Sequence, residues 1–146
     1  PWKIFGPIVA VTAATMIGMF MWFANRPSAD VLVRTLPLAG TVLFFSLLNG
    51  FSEEISYRAS LVAPLHGAIG KKQAMALTAV FFGLAHYTGG VPLDVFPTIV
   101  LTGFLGWLMA KSMIETKGFG WAWFIHAVAD IPVFYFLAAN SIAAGP

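Results

Sequence analysis

Two adjacent carboxylates and an arginine interrupt the mostly apolar stretch LLNGFSEEISYRASLV, residues 47–62. Near the centre of a bilayer a charged side chain costs about 2.5 to 3.5 kcal/mol, so three in one helix require compensation or a function. Glu54 and Arg58 are four residues apart, the spacing of an ion pair along one helix face. Glu53 points about 100° away from Glu54 around the helix. We therefore predict a structural Glu54–Arg58 pair and expect Glu53 to be the carboxylate that does chemistry.

Two later apolar stretches carry histidines at the same helical spacing. FFGLAHY places Phe82 and His86 one turn apart, and WFIHAVAD does the same for His126 and Asp130. Carboxylates and imidazoles are the side chains that most often transfer protons in enzymes. Three predicted helices therefore each present a polar face.

The depths of these residues along the predicted helices allow the polar faces to meet. At 1.5 Å per residue from the cytoplasmic ends, Glu53 lies at about 16 Å, His86 at about 21 Å, His126 at about 9 Å and Asp130 at about 15 Å. The Cα–Cβ bonds lean toward each helix N-terminus, which brings Glu53 and His86 closer in depth. We expect one polar pocket that opens toward the cytoplasmic side.

The overall composition is that of a membrane protein. Of 146 residues, 59% are hydrophobic and 10% are charged, with a mean hydropathy of +0.84, whereas soluble domains carry about 25% charged residues. The eight basic residues are scattered and form no dense stripe, so a nucleic-acid partner is not expected. The absence of cysteine excludes disulfides, thiolate metal sites and a cysteine nucleophile.

Five apolar runs are each long enough, or nearly so, to cross a hydrocarbon core about 30 Å thick. They lie at residues 4–24, 35–63, 73–93, 95–110 and 118–140. Turn-forming residues separate them in NRPSAD, PLHGAIGKK, TGGVPLD and ETKGFG. The first run exceeds the usual core of a signal peptide and is expected to be a retained helix. The sequence predicts an all-α bundle of about five transmembrane helices, with residues 1–146 as one integral membrane domain.

Basic residues predict the orientation, because lysines and arginines in short loops tend to remain in the cytoplasm. With five spans, one side of the membrane carries Lys3, Lys71, Lys72, Lys111 and Lys117, and the other carries Arg26 and Arg34. We expect a cytoplasmic N-terminus and an external C-terminus. His66, in the separator PLHGAIGKK, is expected to be an exposed loop residue without a role.

The three polar motifs EEISYR, FGLAH and HAVAD, in this order on successive hydrophobic helices, resemble those of the CPBP family. This is the CAAX protease and bacteriocin-processing family of intramembrane glutamate proteases, also called Abi proteins, and it includes the type II CAAX prenyl endopeptidases. The resemblance covers roughly residues 45–137. Its specificity lies in the combined order, since each motif alone is short.

The resemblance implies an intramembrane endopeptidase that needs no metal or other cofactor. In such an enzyme Glu53 and His86 would activate a water molecule, and Glu54 and Arg58 would support them. The chemistry is consistent with this, because a buried carboxylate can accept a proton from water near neutral pH and a neighbouring imidazole can share the task. No feature of the sequence identifies a prenylated substrate.

The resemblance also implies that His126 and the residue at position 130 stabilise the oxyanion of the tetrahedral intermediate. The family pattern admits Asn or Asp there, and this chain has Asp130. An ionised Asp accepts hydrogen bonds and cannot donate one to an oxyanion. Asp130 must then be protonated, or it must hold His126 as an imidazolium that acts alone. The sequence leaves both possibilities open.

Two other hypotheses use the same residues. Glu53, His86, His126 and Asp130 are acceptable ligands for zinc or iron, although the chain has no His-Glu-x-x-His helix. A catalytically silent subunit of this fold could instead serve as a scaffold, assembly or immunity factor. The expected partners are a membrane peptide or protein substrate and the lipid bilayer, with association into a larger membrane complex left open. The expected location is the bacterial cytoplasmic membrane.

Overall fold

The computed structural model describes residues 1–87 and 95–145, and it describes no side chains for residues 95–97. Nearly all of this part of the chain is helical, and it contains no β-strand. The elements are α1 (Trp2–Asn25), α2 (Ala29–Thr35), a 3-10 turn (Leu36–Leu38), α3 (Ala39–Glu54), a π-helix (Ile55–Val62), α4 (Ala63–Ile69), α5 (Lys71–Tyr87), α6 (Val95–Thr116) and α7 (Gly120–Ala144). The predicted all-α fold is confirmed.

Among the described residues, four helical stretches are long and apolar enough to cross a membrane by length and composition. They are Trp2–Asn25, Ala29–Ile69, Thr98–Thr116 and Gly120–Ala144. The second stretch, 41 residues long, runs from α2 through α4 and includes the π-helix. Helix α5 provides a fifth helix of 17 residues, and the end of the predicted run 73–93 lies outside the described residues.

Two of the predicted separators have the expected form. Helix α1 ends at Asn25 and α2 begins at Ala29, where the Ser28 side chain accepts a hydrogen bond from the Val31 N–H and caps the new helix. Helix α6 ends at Thr116 before α7 begins, which confirms the break in ETKGFG. The separator TGGVPLD, residues 88–94, lies outside the described residues.

The prediction of a turn across PLHGAIGKK was wrong for its first six residues. Helix α4 continues to Ile69, and the chain leaves helical geometry at Gly70, whose φ of 89° suits a residue without a side chain. Pro64 stands in the first turn of α4, directly after the π-helix, so its missing N–H falls where the helix type changes. His66 is accordingly helical and half-buried, contrary to the expectation of an exposed loop residue.

The chain forms two compact units. The first comprises Pro1, Lys3–Phe51 and the segment that begins at Phe124, and the second comprises Trp2 and Ser52–Trp123. The predicted site residues are divided between them. The first unit contains His126 and Asp130; the second contains Glu53, Glu54, Arg58 and His86.

In the first unit, α3 and α7 approach each other closely at a glycine. A β-carbon on Gly50 would lie 3.1 Å from the backbone nitrogen of Ala127, which is tighter than ordinary van der Waals contact. Elsewhere in the unit the Asn140 side-chain amide donates a hydrogen bond to the Asn25 side-chain oxygen at 2.8 Å. Small residues thus allow close helix contact, and amides connect helix ends.

In the second unit, α5 and α6 pack through small residues. A β-carbon on Gly83 would lie 2.5 Å from the carbonyl oxygen of Ile99, and one on Gly103 would lie 3.1 Å from that of Ala79. Close backbone approach of this kind is the usual way in which membrane helices associate. The glycine pair therefore fixes how near α6 lies to α5.

The surfaces of these helices suit a lipid environment. Large apolar side chains such as Ile4, Phe23, Phe44 and Phe104 are exposed. Several hydroxyl groups donate to a carbonyl three or four residues earlier on their own helix, so they need no water. These include Thr35, Ser46, Thr78, Thr102 and Ser112. The cost of placing polar groups in hydrocarbon is reduced in this way.

We expect Gly83→Ala to destabilise the second unit. Its β-carbon would overlap the Ile99 carbonyl oxygen, so α5 and α6 would have to separate. Overpacking of this kind costs about 1–3 kcal/mol, and the melting temperature of the detergent-solubilised protein should fall by several degrees. Gly67→Ala in α4 is the control, because a β-carbon there meets nothing within 4 Å. Equal melting temperatures for Gly83→Ala and the wild type would contradict the close approach.

Candidate active site

Glu54 and Arg58 form an ion pair in the interior of the second unit. Arg58 Nε lies 3.1 Å from Glu54 Oε2, and both side chains are fully buried. Arg58 Nη2 also donates a hydrogen bond to the carbonyl oxygen of Gly106 on α6, at 3.2 Å. The ion pair predicted from the four-residue spacing is therefore present, and it has a further partner on another helix.

The backbone changes helix type immediately after Glu54. Residues Ile55–Val62 form a π-helix, in which each N–H bonds to the carbonyl five residues earlier. At its end the Ala63 N–H donates to the Arg58 carbonyl oxygen. Such wide turns are rare, and they occur frequently at functional sites. The sequence did not predict this segment, which carries Arg58.

Phe82 contacts both the guanidinium group and the second-motif histidine. Arg58 Cζ lies 4.3 Å from the centroid of the Phe82 ring, a cation–π distance. The centroids of the Phe82 and His86 rings are 4.4 Å apart, and the Tyr57 ring packs edge-on at 5.2 Å. Gly106 leaves room for Phe82, since a β-carbon there would come within 2.9 Å of the ring. Phe82 thus connects Arg58 to His86.

His86 is held in one orientation by its own helix. Its side chain is half-buried, and Nδ1 lies 2.8 Å from the carbonyl oxygen of Phe82. A carbonyl oxygen can only accept, so Nδ1 carries the hydrogen in this contact. Nε2 is then the proton-accepting nitrogen of the neutral ring. The geometry suits a histidine that receives or shares a proton through Nε2.

Glu53 belongs to the same group of charges. Its side chain is half-buried, whereas that of Glu54 is fully buried. Arg58 interacts electrostatically with both carboxylates. The sequence assigned Arg58 to Glu54, and the structure adds this second attraction. It offsets part of the cost of a second carboxylate in apolar surroundings.

His126 and Asp130 lie on α7 in the first unit, and both are buried. His126 Nε2 is 3.7 Å from Asp130 Oδ1, so the one-turn spacing along α7 brings the two side chains close together. The Asn49 side-chain amide on α3 donates a hydrogen bond to Asp130 Oδ2 at 3.0 Å. The two oxygens of the Asp130 carboxylate therefore face different groups, an amide donor and an imidazole.

Sequence reasoning did not assign Asn49 or the Gly106 carbonyl oxygen to the site. Asn49 is a polar residue within the apolar run LLNGF, four residues before Glu53. The argument applied to charged residues, that a polar group in an apolar helix needs a reason, applies to it equally. Gly106 gave no comparable signal, because a glycine in a membrane helix is common.

The structure groups the predicted site residues within each unit. In the second unit Arg58 pairs with Glu54 and attracts Glu53, and the Phe82 ring lies against both Arg58 and His86. In the first unit His126 lies close to Asp130. That the two groups meet at one pocket stays a prediction. Within residues 1–87 and 95–145, no three His, Asp or Glu side chains are arranged to hold a metal ion.

These observations define the class of the protein: it is a helical membrane protein with buried glutamate, arginine and histidine residues. The family model described as "Type II CAAX prenyl endopeptidase Rce1-like" matches residues 35–132, a range that contains all six predicted site residues. The chain belongs to this family of CAAX-protease-type membrane endopeptidases. No curated protein and no solved structure matches the chain. The predicted family and the predicted integral membrane character are thereby confirmed.

We expect Arg58→Met to destabilise the protein strongly, because it removes the counter-charge of buried Glu54. Breaking a buried ion pair from one side costs about 3–5 kcal/mol. The variant should therefore give little folded protein in detergent, measured by size-exclusion chromatography and melting temperature. Combining Arg58→Met with Glu54→Gln removes both charges and should recover part of the loss.

The exposed pair of the chain provides the control for this test. Arg34 Nε lies 2.9 Å from Asp30 Oδ2, but the two side chains are 55% and 74% exposed. Exposed pairs contribute about 0–1 kcal/mol, so Arg34→Met should leave the melting temperature nearly unchanged. A loss for Arg58→Met no larger than that for Arg34→Met would show that the buried pair does not stabilise the unit.

Proposed function

We propose that this chain is an intramembrane, metal-independent endopeptidase that hydrolyses a peptide bond of a membrane-associated substrate. The observation that supports it most is the network of Glu54, Arg58, Phe82 and His86, next to Glu53, in a member of this endopeptidase family. The network holds an arginine and a histidine in fixed positions. Catalysis by proton transfer needs such fixed positions, because small displacements lower the rate strongly.

In the proposed mechanism Glu53 and His86 activate a water molecule. The Glu53 carboxylate accepts a proton from the water, and His86 Nε2 orients it. The water oxygen then forms a bond to the carbonyl carbon of the scissile peptide, which gives a tetrahedral intermediate. When the C–N bond breaks, the proton held by Glu53 passes to the departing amine. The products are a carboxylic acid and an amine, and the enzyme returns to its starting state.

Glu54 and Arg58 support this reaction from a distance in the proposal, and His126 with Asp130 stabilises the oxyanion. The proposed site requires the two groups of residues to converge in the membrane. The proposed location is the bacterial cytoplasmic membrane, with the N-terminus and the opening of the pocket on the cytoplasmic side. The proposed partners are a membrane peptide or protein substrate and the surrounding lipid.

The first substrate to test follows from the description of the family. We would use an internally quenched peptide that ends in a farnesylated cysteine followed by three residues, and the same peptide without the farnesyl group. Cleavage of the farnesylated peptide alone would indicate recognition of the lipid. Cleavage of both would indicate that a peptide near the membrane surface suffices.

Glu53→Gln and His86→Ala should each abolish most of this cleavage. Loss of a general base lowers the rate by about 10²–10⁴-fold, and we expect kcat/KM to fall in that range. His66→Ala is the matched control, since His66 is also half-buried and helical and has no proposed role. Melting temperatures near that of the wild type would show that the variants fold. Cleavage that survives both substitutions would rule out the proposed mechanism.

A wild-type protein without cleavage activity would favour the alternative function as a scaffold, assembly or immunity factor. If a well-folded wild type cleaves neither peptide, and the combined Glu53→Gln and His86→Ala variant fully complements a deletion strain, the chain acts as a scaffold, assembly or immunity factor. The same experiment thus separates a protease from a subunit that keeps the fold of its family without its chemistry.

Chelation separates the proposed mechanism from a metal-dependent one. Cleavage by the wild type should be unchanged after prolonged treatment with 1,10-phenanthroline or EDTA, because Glu53 and His86 act on water directly. A required metal would be removed by these reagents, and activity would return when zinc or manganese is added back. Loss of activity with such recovery would favour the metal hypothesis.

A further inference from the structure

We propose that Asn49 is a positioning residue for the pair on α7. Its amide holds Asp130 as a carboxylate, Asp130 in turn keeps His126 as an imidazolium, and this imidazolium is the group that stabilises the oxyanion. The inference rests on the proposed function for its last step. It addresses the two possibilities that the sequence left open for Asp130.

The contacts of the Asp130 carboxylate support this assignment. Asn49 Nδ2 donates to Oδ2 at 3.0 Å, and Oδ1 faces His126 Nε2 at 3.7 Å. A side-chain N–H donated to a carboxylate oxygen favours the ionised form of that group. An ionised carboxylate next to an imidazole favours the imidazolium. An imidazolium donates from both ring nitrogens, so it can face Asp130 with one N–H and donate to an oxyanion with the other.

The backbone brings Asn49 to this position. The next residue, Gly50, lies so close to α7 that a β-carbon would be 3.1 Å from the Ala127 nitrogen and 3.5 Å from His126 Cβ. The close approach of α3 to α7 thus occurs beside Asn49, which keeps its short side chain within reach of Asp130. Asn49 is also one helical turn before Glu53 in the sequence, the spacing of residues on one helix face.

Apart from His126 and Asp130, the first unit carries few titratable side chains. The elements packed against α7 include α1 and α3, and residues 4–24 and 39–51 carry no titratable side chain. The remaining titratable side chains of the unit are Lys3, Arg26, Asp30, Arg34 and Tyr135. Asp30 and Arg34 pair with each other, and the Tyr135 hydroxyl donates to the Leu32 carbonyl oxygen at 3.0 Å. The proposed site would add Glu53, Glu54, Arg58 and His86 from the second unit.

Nitrogen-15 spectra of histidine-labelled protein test the charge of His126 without any substrate. The chain has three histidines, His66, His86 and His126, so single substitutions assign their signals. We expect His126 to be mostly imidazolium at pH 7 in the wild type. Asn49→Leu should lower that fraction clearly and leave the His66 signal unchanged. A neutral His126 in the wild type, or an unchanged His126 in Asn49→Leu, would overturn the inference.

Asn140→Leu is the matched control. Asn140 also donates a side-chain amide hydrogen bond within the first unit, to Asn25, and it has no role in the proposed mechanism. Its substitution should leave both the His126 signal and cleavage unchanged. If Asn49→Leu does not fold, Asn49→Ala provides the same test, because it removes the donated amide without adding volume where α3 lies close to α7.

Kinetics of peptide cleavage test the role of this charge in the reaction. Asn49→Leu should lower kcat by about tenfold or more, with KM within about threefold of the wild-type value, because the interaction is realised in the transition state. The exchange variant Asn49→Asp with Asp130→Asn keeps an amide facing a carboxylate but moves the charge from α7 to α3. The exchange variant should restore the melting temperature of the wild type but not its kcat. Recovery of kcat as well would show a purely structural contact and overturn the inference.

The two proposals fail in different ways. A folded wild type that cleaves neither peptide overturns the proposed function, and the spectra of His126 still decide whether Asn49 controls its charge. An active wild type whose His126 is neutral overturns the inference and leaves Glu53 and His86 as the water-activating pair. An active wild type with an Asn49-dependent imidazolium supports both.

Discussion

A guanidinium group in an apolar helix bundle must be neutralised by groups very close to it, and Arg58 meets this constraint through three different contacts. Glu54 supplies the opposite charge, the Gly106 carbonyl accepts a hydrogen bond, and the Phe82 ring lies at a cation–π distance. Removing a charge from water costs several kcal/mol, and only good geometry offsets it. Since these partners lie at the end of α3, on α6 and on α5, one side chain ties three helices of the second unit together.

The contacts that neutralise Arg58 also determine where the chemical groups stand. Phe82 touches both Arg58 and His86, and its carbonyl oxygen accepts from His86 Nδ1. The electrostatic attraction between Arg58 and Glu53 extends the network to the second carboxylate. Stability and site geometry therefore depend on the same atoms. A substitution that removes the buried charge would also free the His86 ring, and a group that transfers a proton needs such a fixed position.

Contacts between residues four apart could be predicted from the sequence, because helical geometry alone brings such side chains together. The Glu54–Arg58 and His126–Asp130 pairs are of this kind. The contacts of Arg58 with Gly106 and of Asn49 with Asp130 join residues 48 and 81 positions apart, so they depend on how the helices pack. Periodicity of apolar residues cannot specify that packing.

The sequence also predicted the helices only in part. The described part of each of the five apolar runs is almost entirely helical, and four of these helical stretches are long and apolar enough to cross a membrane. Length and hydropathy could be read from the sequence because they are properties of each run alone. The π-helix at Ile55–Val62 was not predicted, because a bond to the fifth rather than the fourth preceding residue has no simple composition signal. The turn expected in PLHGAIGKK was placed too early, because Pro64 at the start of a helix resembles Pro64 in a loop when only the sequence is read.

In both units a charged side chain is held by a hydrogen bond to a different helix. Hydroxyls such as those of Ser46 and Thr78 bond to their own helices and so fix nothing between helices. In contrast, Arg58 reaches a carbonyl on α6, and Asp130 receives an amide from α3. In hydrocarbon a polar group gains little from the medium, so a contact of this kind both joins helices and selects one position for the charged side chain. For Asp130 that selection has a chemical consequence, because a carboxylate fixed on one oxygen by an amide keeps its other oxygen directed at His126.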